Sequence, residues 1–226
     1  MAGRRLTNLS YEDWIEHVFS HPVRMYQPRW YDEPDSERWD AATTTKAHYL
    51  TRLFEDSEPA LAFFADSQIA QGLTYLIDPG ASDHALSLLD DAVLIEERLR
   101  GMRATYSLFA HLFDRRCTPH LSHRDEPGAG PLNGVCYLWW DVFPAAAAPR
   151  DSNRRAIDEA ILSTMDRILQ LSSPACRESA LHGLGHWQRA YPATVTAIID
   201  SFLDRHLGLS GGLRAYAHAA RTGCVL

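Results

Sequence analysis

The chain has 226 residues, 46% hydrophobic and 23% charged, with a formal net charge of -7 and one lysine, Lys46, among 22 basic residues. That length supports a buried core without staples, and that balance excludes disorder. The acidic charge counts against nucleic acid as a partner, and the absence of an 18-residue apolar run counts against a membrane-spanning helix.

In chain order, Arg4 and Arg5 are followed by no apolar run, so no secretory signal is expected. Ser10 is a good N-cap, with Asp13 three residues on, and opens a helix to Phe19 that Pro22 ends. Residues 22–42 show no period but carry Tyr26, Trp30, Tyr31 and Trp39. This reads as an ordered loop, either a lid over the first helices or an exposed anchor for a partner, where aromatic side chains concentrate binding energy. Helices are predicted over Thr43–Asp56, from Asp66 as cap to the Asp78-Pro79-Gly80 stop, and over Ser82–Leu89.

Ala92–Phe113 gives the clearest pattern: Ile95, Leu99, Met102, Tyr106, Phe109 and Phe113 recur at steps of three and four, one continuous helical stripe. Arg116–Gly130 is a long connection holding Cys117, His120, His123, Asp125 and Glu126, and loops of that length are commonly functional. Pro131–Phe143 has apolar residues on most sides and is expected at the centre of the core. After a small-residue linker, Ala145–Pro149, helices are predicted from Asp151 or Ser152 to Leu171, from Ser173-Pro174 to Tyr191, from Pro192, and from Leu213 to Gly223. No strand pattern is found. The class is all-α in a single domain over 1–226, with about nine to eleven helices and no sheet.

The stretch from Pro174 to Gly185 resembles the first helix of a HEAT repeat. Pro174 opens it, Arg177 stands where such helices carry arginine, and Ala180-Leu181 with Leu184-Gly185 match the repeat's core. The resemblance covers 174–226 and implies a HEAT-like helical repeat, a compact α-solenoid whose helix pairs stack on their neighbours and present a surface to a protein partner.

His182 and His186 are four apart, hence on one helical face, the geometry for two ligands of one metal. Gly183 replaces the glutamate of the zinc-protease motif HExxH, and further ligands are sought in the Cys117/His120/His123/Asp125 loop. The alternative is that both histidines hydrogen-bond to loop carbonyls or carboxylates while Gly183 and Gly185 admit another backbone, the Cys117–Gly130 loop. Trp139-Trp140-Asp141 invites comparison with HEAT-like DNA glycosylases, although both tryptophans also fit the apolar stripes. Arg100, Arg103, Arg115, Arg116 and Arg124 form either a basic patch or a solvated mixed face. Cys117, Cys136, Cys176 and Cys224 make no CxxC pair and read as reduced thiols in a cytoplasm.

The leading expectation is a cytoplasmic, non-enzymatic protein-interaction module, immunity-like, antitoxin-like or an adaptor, meeting a basic partner and using no cofactor. Trp30, Tyr31, Trp39, His120, His123, Asp125, His182 and His186 are its candidate binding residues. A metal-dependent hydrolase, with zinc on His182, His186, His120 and His123, is the alternative, and a HEAT-like DNA glycosylase a further one.

Overall fold

The computed structural model describes residues 5–23, 28–144 and 147–225. Tyr26, the Met1–Arg4 segment and Ala145 and Ala146 of the linker lie outside them. The main helices start and stop close to the sequence signals. α1 (Tyr11–Phe19) is capped by Ser10, whose hydroxyl accepts from the Asp13 N–H. α2 (Thr43–Glu55) is followed by a single turn, α3 (Ser57–Ala60), and by α4 (Asp66–Ile77). Asp66 is the first helical residue of α4; the cap position is Ala65, whose N–H donates to the Gln68 side chain.

α5 (Ile95–Leu108) runs into a π turn at Phe109–Phe113 and then α6 (Asp114–Arg116). Its buried face differs from the predicted stripe. Ile95, Leu99 and Tyr106 are only partly covered, whereas Arg98, Gly101, Met102, Ala104, Thr105 and Leu108 are buried. Small residues let α5 approach the α2 side: a Cβ on Gly101 would overlap Leu88 and Thr51. A reading weighted by large apolar residues misses that kind of face.

The expected helix over Pro131–Phe143 is broken at Leu138 into α7 (Pro131–Tyr137) and α8 (Trp139–Val142). Its inner side buries Leu132, Cys136, Trp139 and Phe143, while Leu138 is half exposed. The hub is instead α10 (Pro174–Trp187), capped by the Ser173 hydroxyl and buried along nearly its whole length. It packs against α7, α8, α9 (Arg155–Ile168), α11 (Pro192–Arg205) and α12 (Gly211–Arg221). α10, α11 and α12 are the three helices within 174–226, the stretch that the HEAT resemblance covers.

Among the described residues one strand pairing exists, against the expectation of none. β1 (Arg5–Leu6) and β2 (Arg38–Trp39) lie parallel, with Arg5 opposite Arg38 and Leu6 opposite Trp39. Two residues offer no alternation to read. The pairing seats Trp39 among Trp14, Tyr49 and His84, stacked on Tyr49 with ring centres 5.3 Å apart. Trp30 stacks on His21 at 4.1 Å. Tyr31 and Trp39 are each 5% exposed, so these two candidate binding residues are core, and Trp30 and Tyr31 pack on His17 of α1 and Tyr75 of α4. Burial drives the His84 pKa down to about 3, and the neutral ring accepts the Trp14 indole N–H at 3.1 Å. No helix among the described residues is long and apolar enough to cross a membrane.

Candidate metal centre

α10 carries Glu178, His182 and His186 at steps of four, which places them on one face. α8 approaches that face closely because Gly183 has no side chain: a Cβ there would lie 2.6 Å from Trp140 Cγ and 2.7 Å from Met165 Sδ. Gly185 instead accommodates Val225, at 2.6 Å from such a Cβ. The close approach is therefore to α8 and the 223–225 segment, not to the Cys117–Gly130 loop. Its product is a carboxylate held against the two imidazoles.

Asp141 Oδ1 lies 2.8 Å from His182 Nε2 and 2.8 Å from His186 Nε2, and the two nitrogens are 3.0 Å apart. Two Nε2 protons at most are available for three short edges, so hydrogen bonding satisfies two of them and leaves the third repulsive. A cation facing all three atoms removes that conflict. With ligand bonds of about 2.1 Å, neighbouring ligands of an octahedral ion stand about 3.0 Å apart, which this triangle approaches. His186 and Asp141 are 42% and 30% exposed at the side chain, so the outer positions of such an ion would face solvent.

His182 is fully buried, and burial lowers its pKa against the opposing pull of Asp141, which keeps it in the neutral form that binds metal. Its Nδ1 lies 2.6 Å from the Tyr216 hydroxyl, which lies 3.1 Å from that of Tyr137. A proton on Nδ1 donated to Tyr216 would leave the Nε2 lone pair directed at the triangle. Burial raises the Tyr216 pKa, so the phenol stays protonated.

The loop residues serve a neighbouring role. Glu178, fully buried, accepts from the Ser122 N–H at 2.9 Å, the His123 N–H at 2.8 Å and His123 Nδ1 at 2.6 Å. His123 stacks on Tyr216 with ring centres 4.1 Å apart. His120 lies half-buried against Gly128, outside the triangle, and Asp125 is an exposed turn residue with φ 51°. The potential ligand atom that meets His182 and His186 belongs to Asp141 and not to this loop, and His120 and His123 lie outside the group.

Of the Trp139-Trp140-Asp141 cluster, both tryptophans are core side chains and Asp141 is partly exposed. Arg100, Arg115, Arg116 and Arg124 are ion-paired with Glu55, Glu58, Asp66 and Glu126, as a mixed face requires. No protein-family model, curated protein or solved structure matches the chain.

Proposed function

We propose that the protein binds one divalent transition-metal ion through Asp141, His182 and His186 and is a metal-dependent hydrolase. The observation that carries this is the mutual approach of three ligand atoms from two helices to within 3.0 Å. Such an ion, with positions left to solvent, supplies a water activated at neutral pH. Tyr216 fixes the orientation of His182, and Glu178 with His123 holds Tyr216 from its other side. A reducing cytoplasm accords with four thiols outside any disulfide.

The test is metal analysis of tag-free protein after dialysis against zinc, manganese or cobalt. We expect close to one ion per chain, lost in His182→Ala, with a cobalt visible spectrum that disappears in Asp141→Asn. Substoichiometric metal that His182→Ala leaves unchanged would overturn the site. Stoichiometric metal without metal-dependent turnover of aryl ester, phosphodiester or peptide substrates would leave a binding protein and remove the hydrolase.

A second reading, the interaction module, is favoured by one feature. An open groove of about 580 Å³ runs between α4 and α7–α8, lined by Ala70, Ile77, Val135, Leu138 and Val142. The chain's net charge of -7 suits a basic partner, and a stoichiometric complex measured by calorimetry would support it.

A further inference from the structure

Three of the four cysteines, far apart in the sequence, meet in the fold. Cys117 and Cys176 both lie near enough to Cys136 to act on its thiol. It also lies 3.8 Å from the Ala175 carbonyl, against the first turn of α10. Cys117 is brought to α7 by its neighbour: the Thr118 N–H and hydroxyl both lie 3.1 Å from Asn133 Oδ1, and Asn133 Nδ2 donates to the Thr118 carbonyl at 2.9 Å. Asn133 and Cys136 are three apart on α7, so the same helical side that holds Thr118 presents the Cys136 thiol. Cys136 and Cys176 are buried, whereas Cys117 is half-buried.

We propose that Cys117 and Cys136 form a disulfide under hydroperoxide, with Cys117 the attacked thiol and Cys136 the resolving one. The Cys117 thiolate attacks a peroxide oxygen and the O–O bond breaks, giving sulfenic acid and hydroxide (water once protonated). The Cys136 sulfur then displaces the sulfenic hydroxyl, forming the S–S bond; the thiol proton leaves with that hydroxyl as a second water. Peroxide is reduced by two electrons and the two thiols are oxidised by two. Access selects Cys117, since an oxidant reaches a half-buried thiol before two buried ones. Burial holds Cys136 in its thiol form, which makes the second step the slower one. The bond would close a ring containing Thr118, His120, His123 and Asn133, tying the loop that Glu178 grips to α7.

The experiment uses full-length Cys224→Ser, which removes the exposed thiol and its intermolecular products. After hydrogen peroxide and then catalase, thiols are titrated in denaturant and tryptic peptides mapped. The expected result is loss of two of three thiols and one linked pair of peptides carrying Cys117 and Cys136, reversed by dithiothreitol. With Cys136→Ser or Cys136→Ala added, each checked for native circular dichroism, the linked pair disappears and sulfenic acid at Cys117 is trapped by dimedone. Three intact thiols, a Cys136–Cys176 link, or conversion of Cys117 to sulfinic acid without any link would each overturn the proposal.

Discussion

Gly183 is the residue on which the candidate centre turns. It lies between His182 and Leu184 on a helix where alanine would be favoured by about 1 kcal/mol. The space for a methyl group is already taken by Trp140 Cγ, Trp140 Cβ and Met165 Sδ, all within 2.8 Å of where it would sit. Trp140 Cβ is fixed to the backbone of α8, so relief requires moving α8 itself. We expect Gly183→Ala to lower stability by about 1–2 kcal/mol in urea unfolding, overpacking outweighing the gain in helix propensity. It should also weaken metal binding, because Asp141 would move with α8. Unchanged stability together with unchanged affinity would show that this contact is slack. The sequence shows two glycines in a helix and invites the idea of close approach, but the partner is invisible there because α8 is about forty residues away.

At the level of elements, α10 organises the site by carrying Glu178, His182 and His186 on one face. The His182/His186 spacing is legible in the chain, as are the Ser173 cap and the prolines that open α10 and α11, whereas Glu178 gave no signal of its role. Asp141 was legible as a residue but not as a ligand, since no local spacing links α8 to α10. Tyr216 had no signal at all: one tyrosine on an amphipathic helix looks like core. The broken helix at Leu138 and the small-residue face of α5 were hidden because residue size and period do not report where a neighbouring helix passes. Glu178 binds the loop around Ser122 and His123 to α10 through three donors. In Glu178→Gln an amide N–H must face one of these donors, and we expect a loss of about 2–3 kcal/mol. Amide exchange and proteolysis should rise first within residues 118–130 while the helical circular dichroism is retained. Equal protection of the loop in both proteins would refute its dependence on Glu178.

The whole molecule joins an aromatic-rich N-terminal part, built on Trp14, Trp39 and His84, to the α10 hub. Its acid behaviour follows from the buried imidazoles. His84 has a folded pKa of about 3 against an ordinary value near 6.5, with burial the first cause and Asp83, Lys46 and His17 acting on it. The unfolded chain therefore binds more protons between these values. Stability contributed by neutral His84 is present above pH 6.5 and falls as pH drops through that window, by up to about 1.4 kcal/mol per pH unit. His182, also lowered, acts in the same direction. Urea midpoints measured from pH 4 to 7 should decline with acid, and less steeply in His84→Gln; parallel slopes would exclude His84 as the cause. The packing of Trp140 on Gly183 has an optical consequence. An indole is fixed beside the residue that follows the proposed ligand His182, so copper(II) held there would quench its emission. Occupancy of the centre could then be followed in the unlabelled protein by light alone.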